Sequence, residues 1–108
     1  KETVTMDTNT NIKQLLFALG IPANLYGHTL IIAAYQMIVD DPEKYCLDHK
    51  ALLNDLADRY HISAKSAGRD IRYAVRSGHT EKYGYVINAK KNVPSALQFV
   101  YGLYHYLS

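Results

Sequence analysis

Lys65, Arg69, Arg72 and Arg76 recur at spacings of four, three and four residues within SAKSAGRDIRYAVRSG, residues 63–78. On a helix turning about 100° per residue, these four side chains fall within roughly one-sixth of the circumference. Ala64, Ala67, Ile71, Ala74 and Val75 gather on the other side. Cations at this spacing can neutralise a run of phosphates, and Arg can also pair with guanine through two parallel hydrogen bonds. A helix that only had to be soluble would more usually mix its signs, because Glu and Lys four apart support each other. The competing reading is a solvated face on an ordinary helical hairpin.

A cationic stripe reads nucleic acid only if the helix that carries it is held at a fixed angle, so the preceding residues matter as much. Residues 53–72, LNDLADRYHISAKSAGRDIR, supply what a helix-turn-helix requires. Ala57 is a small residue at the middle of the first helix, where the second must cross closely. Tyr60 and Ile62 wedge the two helices from either side of the turn. Ala67 and Ile71 are the inward positions of the second helix. The turn commonly holds a residue with positive φ, often Gly; here it is His61, a residue type found in that region more often than most. The second helix of such a unit leads into the major groove with its N-terminal residues. Lys65 and Arg69 are then expected to face base edges or nearby phosphates, and Arg72 and Arg76 to track the backbone. Ser63, Ser66 and Tyr73 flank the stripe as phosphate hydrogen-bond donors. Gly68 costs about 1 kcal/mol relative to Ala inside a helix. It either lets DNA approach the backbone or marks a position that reads nothing. Asp70, on the flank, can pair with Arg69 or repel phosphate.

The rest of the chain reads as helices that would support this pair. Residues 1–10, with four Thr and no apolar periodicity, read as a linker or frayed terminus. A first helix is expected over 11–19, capped by Asn11 and ended by Gly20, with Pro22 forcing a structured turn after it. A second, over 28–39, is apolar nearly all round and belongs at the centre. Asp40-Asp41-Pro42 breaks it, and Pro42 opens a short helix to about Leu47. A helix over 49–60 and the basic helix, with Ser63 as N-cap, follow. YGYVINAKKN, residues 83–92, has β-branched character but no second strand to pair with, and reads as an extended connection. Pro94 and Ser95 open a last helix through Leu107, with Phe99, Val100, Leu103 and Leu107 inward. The fold class is all-α, a single domain over 11–108 of five to six helices containing a helix-turn-helix.

Composition narrows the functions. Forty-eight per cent apolar and 20% charged residues suit one globular domain of 108 residues. No apolar run is long enough to span a bilayer, and the start lacks the apolar core of a signal peptide. The start also lacks an initiator Met, which fits excision from something longer or trimming. Cys46 is the only cysteine, so neither an intrachain disulfide nor a cysteine-cluster zinc site can form. An intracellular, cytoplasmic protein is expected. Net charge is only +2, but residues 1–57 carry four Lys and seven acids while residues 58–108 carry eight Lys or Arg and three acids. Such asymmetry suits an anionic partner at one end, although small domains also show it by chance.

His28, His49, His61, His79 and His105 lack the three-to-five spacing of a zinc site, so no metal or other cofactor is expected. No nucleophile-bearing turn or glycine-rich phosphate loop is present, which argues against an enzyme. Ten tyrosines include Tyr101, Tyr104 and Tyr106 on the last helix. Tyr101 and Tyr104 are the first candidates for a dimer contact, since Tyr is enriched in interfaces. The alternative is that they fill the edge of a core that has no Trp.

Gly20-Ile21-Pro22-Ala23-Asn24-Leu25 with Gly27, then Asp55-Leu56-Ala57 with Tyr60, then Arg69, Ile71, Arg72 and Ala74, then Gly84-Tyr85, carry a family resemblance. From about Ile12 to the last helix the chain resembles the C-terminal effector domain of the sporulation-initiation response regulator of endospore-forming bacteria. The resemblance implies an all-helical domain that binds double-stranded DNA, as a homodimer on tandem boxes, and regulates transcription. It also implies contact with RNA polymerase, to which the family's longer connection after the second helix contributes; here RSGHTEKYGY is several residues shorter. In the family such a domain normally follows a phosphoacceptor receiver. Ser66 and Gly68 stand where family members carry Arg and Glu, so backbone contact through Arg69 and Arg72 carries over better than base readout. A different class of function is the alternative: a helix-turn-helix-like protein-interaction module that has lost specific readout and modulates a related regulator.

Overall fold

The computed structural model describes residues 8–84 and 93–107. Six α-helices account for most of them, and no strand occurs among the described residues. They are α1 (Thr8–Ala18), α2 (Tyr26–Asp40), α3 (Pro42–Leu47), α4 (His49–Tyr60), α5 (Ala64–Ser77) and α6 (Ala96–Leu107), with a 3-10 turn at Thr80–Lys82.

The element apolar on every side takes the centre, as its sequence requires. α2 buries Leu30, Ile31, Ala33, Ala34, Tyr35, Met37 and Ile38, and every other helix packs on it. α1 contributes Ile12, Leu16 and Leu19 to the same core. It begins at Thr8 rather than Asn11, so Asn11 lies within the helix and is not its cap. The linker expected over residues 1–10 is therefore helical from Thr8 on, and its residues 1–7 fall outside the described residues.

Local chemistry sets most of the boundaries. Gly20 takes φ +77°, ending α1, and the Ile21 N–H donates to the Leu16 carbonyl at 3.0 Å. Asp41 accepts from the Lys44 N–H at 3.3 Å, with Pro42 in the first turn of α3. Asp48 accepts from the Ala51 N–H at 3.4 Å at the start of α4. At α6 a reciprocal box forms: Ser95 Oγ accepts from the Gln98 N–H at 3.1 Å, and Gln98 Oε1 from the Ser95 N–H at 3.0 Å.

Two further expectations need correction. Tyr83, read from sequence as part of an extended connection, is a core residue, 1% exposed and edge-on to Phe99 with ring centroids 5.2 Å apart. The rest of that connection, residues 85–92, lies outside the described residues. Tyr101, the first candidate for a dimer contact, is buried within its own chain: its hydroxyl donates to the Tyr45 carbonyl, and His49 stacks on its ring at 3.9 Å. The Tyr45 carbonyl of α3 and the His49 ring of α4 meet Tyr101 on the side of α6 that would otherwise face solvent. Tyr104 is half-buried and Tyr106 exposed.

Candidate nucleic-acid interface

The turn before α5 is built as its sequence suggests. His61 sits at φ 58°, ψ 42°, and its N–H caps the end of α4 on the carbonyls of Ala57 and Asp58. The Ile62 N–H donates back to the Ala57 carbonyl at 3.0 Å. Ser63 then starts α5, its Oγ accepting from the Ser66 N–H at 3.0 Å. Tyr60, at the end of α4, meets Tyr26 at the start of α2 edge-on, with ring centroids 6.1 Å apart.

α5 is held mainly from below. Ala67, Ile71, Ala74 and Val75 are buried, the small pair allowing close approach of α2. Closest is Gly27: a Cβ there would collide with the Asp70 carbonyl oxygen and lie 2.8 Å from Ala74 Cβ. No other residue type fits that crossing without moving α5. α4 supports the helix through Leu56 and Ala57, both buried.

The far end of α5 is fastened separately. The Tyr83 hydroxyl donates to the Val75 carbonyl, and burial pushes its pKa up to about 12. The His79 N–H donates to the Leu19 carbonyl at 2.6 Å, tying the exit of α5 to the end of α1. At Gly20 and Gly78 a Cβ would run into the His79 ring and the Tyr83 hydroxyl respectively. A further tie sets α3 against α4: the Tyr45 hydroxyl donates to Asp55 at 2.8 Å and Lys44 Nζ lies 3.0 Å from the same carboxylate. These two partners hold the Asp55 carboxyl below its ordinary range.

On this frame Lys65, Arg69, Arg72 and Arg76 stand exposed along one face of α5, with Ser63 and Tyr73 also exposed and Ser66 half-buried. Among the described residues none of the four cations is in an ion pair. Arg69 is oriented locally: its Nη2 donates to Ser66 Oγ at 3.3 Å, and Ser66 Oγ also accepts from Ser63 Oγ at 3.0 Å. Asp70 does not pair with Arg69; it lies half-buried toward α2, roughly 100° around the helix. All four cations line a shallow groove of about 540 Å³ whose floor is Leu53, Ala64, Gly68 and Ala96, with no acid in its wall. Leu53 and Ala96 were not legible as neighbours of the stripe, because they come from α4 and α6 and meet it only in the folded chain.

An all-helical domain that fixes an unpaired cationic helix in this way belongs to the class of DNA-binding regulators. Comparison with known families makes this specific. The family described as sporulation initiation factor Spo0A, C terminal, matches residues 12–107, and the chain belongs to that family. It is thereby a DNA-binding effector domain of a sporulation regulator. No helix among the described residues is long and apolar enough to cross a membrane.

Proposed function

We propose that α5 enters the major groove of duplex DNA with its N-terminal turn leading. Lys65 and Arg69 face base edges or the adjacent phosphates, Arg72 and Arg76 follow the backbone, and Ser63, Ser66 and Tyr73 donate hydrogen bonds to phosphate. The observation that carries this reading is the row of four exposed cations along one acid-free groove. Among the described residues no acid pairs with that charge, and placing it against phosphate releases condensed counterions. Ser66 Oγ accepts from Ser63 and Arg69, so it orients a cation more than it reads a base, and its own hydroxyl hydrogen is left for phosphate. The domain acts in the cytoplasm on tandem sites, each occupied by one copy, and reaches RNA polymerase from there.

Fluorescence anisotropy on labelled duplex DNA over a range of salt concentrations tests this. Each phosphate neutralised contributes about −0.9 to the slope of log affinity against log salt. Arg69→Ala and Arg72→Ala are each expected to weaken binding and flatten the slope by about that amount, with stability changed by less than about 0.5 kcal/mol. A duplex carrying tandem family-type boxes, set against a scrambled one, measures how much base readout survives with Ser66 and Gly68 in place. Absence of saturable binding at low salt would remove the reading and favour a module that works through protein contact.

A further inference from the structure

Phe17 on α1 leaves its ring 85% exposed, more than any other large apolar side chain among the described residues. The ring borders a groove of about 590 Å³ whose apolar wall continues through Ile21, Pro22 and Ala23. That wall is stiff: Gly20 takes positive φ, and the Ile21 N–H is bonded back to the Leu16 carbonyl at 3.0 Å. The groove is far from the stripe of α5 in its lining, sharing no residue with it.

Its polar groups are all basic: Lys13 of α1, His28 of α2 and His79 beyond α5, with no acid among the described residues that line it. Lys13 and His28 also line a second groove, of about 440 Å³, which runs past Thr29 and Gln36 to Arg59 and Tyr60 of α4. His28, Ile32 and Gln36 recur every fourth residue, so one face of α2 forms its floor. No acid lines this groove either; Asp40, to which Gln36 donates at 3.3 Å, lies outside its lining. Burial and the charge of Lys13 together hold the His28 pKa below its ordinary value, which a neighbouring anion would reverse. Leu25, at the N-cap of α2, gives the first turn no side-chain acceptor, so the positive end of that helix adds to the same field. The two grooves therefore make one track, apolar at the Phe17 end and basic from Lys13 to Arg59.

We propose that this track binds a nucleoside triphosphate, its base against Phe17 and Pro22 and its phosphates running between Lys13 and His28 toward Arg59. A ring and a polyanionic chain joined end to end match the order in which the track presents its chemistry. An exposed aromatic face is a platform on which any base can stack. Basic groups spread along a groove meet charge that is spread along a chain, where a single carboxylate would use only one of them. Each groove has the volume of a small-molecule site, and the few polar groups converge beside an apolar wall. The inference rests neither on α5 nor on DNA, so it and the proposed function can fail separately.

Isothermal titration calorimetry of the protein with ATP in metal-free buffer tests this, with adenosine and tripolyphosphate as the two halves of the ligand. ATP is expected to occupy one site with a dissociation constant of about 10–500 µM, at least about tenfold tighter than either half. Phe17→Ala should weaken ATP by at least about fivefold and leave tripolyphosphate unchanged. Lys13→Ala should weaken ATP and tripolyphosphate alike, by at least about tenfold. Arg59→Ala should weaken ATP more than AMP, whose single phosphate stops short of it. Phe17, Lys13 and Arg59 are exposed, so circular dichroism and melting temperature should stay at the parent values. Arg72→Ala, in the groove of α5, should leave ATP affinity within about twofold of the parent. No binding up to about 5 mM ATP would overturn the proposal. So would tripolyphosphate binding as tightly as ATP, or Arg72→Ala weakening ATP as much as Lys13→Ala does, since either marks general attraction of polyanions. A loss of duplex DNA affinity in Lys13→Ala and Arg59→Ala, with no ATP bound by the parent, would assign the track to DNA phosphates instead.

Discussion

The two faces of α5 differ in almost every respect, and the difference shows how one helix can be both fixed and available. Its inward face carries small or β-branched residues, Ala67, Ala74, Ile71 and Val75, with Gly27 beneath it, and tolerates no added atom at the crossing. Its outward face carries long cations, of which only Arg69 has a side-chain partner among the described residues, and that partner is a serine on the same helix. Packing decides where the helix lies, and charge decides what it meets. The two faces should fail in different ways when altered. Inward changes should cost stability and take binding with them, while outward changes should cost binding alone.

Gly27→Ala is the strongest way to break that division. The added methyl lands on the Asp70 carbonyl and against Ala74, backbone and helix-bound atoms that cannot swing aside. Overpacking of this kind is expected to cost about 3 kcal/mol, lowering the melting temperature by more than about 10 °C for a domain of this size. Thermal unfolding followed by circular dichroism measures it. A variant that melts like the parent would mean that α2 and α5 are not in close contact at Gly27.

The fastening at the end of α5 gives a smaller effect with a pH signature. Tyr83→Phe removes the hydroxyl that donates to the Val75 carbonyl, while the Gly78 N–H still reaches that carbonyl at 3.3 Å. The expected loss is therefore about 1 kcal/mol. Burial raises the Tyr83 pKa from 10.0 to about 12, so the unfolded chain gives up this proton first. Its contribution is complete below pH 10 and is lost as pH rises from 10 toward 12. Denaturant titrations across that interval should show a shallower decline for Tyr83→Phe than for the parent. Tyr101, also raised to about 12, contributes to the decline that remains, as do Tyr35 and Tyr45, whose pKa values burial raises as well. An unchanged slope would mean that Tyr83 ionises freely in the folded protein.

Features fixed by neighbouring residues were legible in the sequence, and those fixed at long range were not. The Ser63 cap, the left-handed His61, the bounds of α3 and α4, and the alternation of small and basic residues along α5 all depend on chain within a turn or two. The Gly20-Ile21-Pro22-Ala23 turn was visible as a motif, but nothing in its composition says that Gly27 is where α2 meets α5. Tyr83 has no local signal of burial. It is drawn in by Phe99 on a helix that begins more than ten residues later. Tyr101 misleads because it lies opposite the Phe99–Leu103 face of α6 and would point outward on a two-layer plan. α3 and α4 supply a third side through Tyr45 and His49. The candidate site follows the same division: its cations were readable as a stripe, while the Leu53 and Ala96 wall that makes the stripe a groove needed the fold.

Gly68 lies on the border between the two faces and gives the finest test. It is half-buried inside α5, on the floor of the cationic groove, where Gly costs about 1 kcal/mol relative to Ala. A Cβ there would lie 3.6 Å from Leu53 Cδ1, ordinary van der Waals contact, so the fold has room for it. Gly68→Ala should therefore raise stability by about 0.5–1 kcal/mol, read from denaturant midpoints. Its methyl turns toward Leu53 and removes no charge, so DNA affinity should stay within about twofold of the parent with the salt slope unchanged. A stabilised variant that binds DNA more than about tenfold more weakly would place the duplex backbone inside the groove, against Gly68 itself. The glycine would then belong to the outward face, held at a cost in helix stability for the approach it allows.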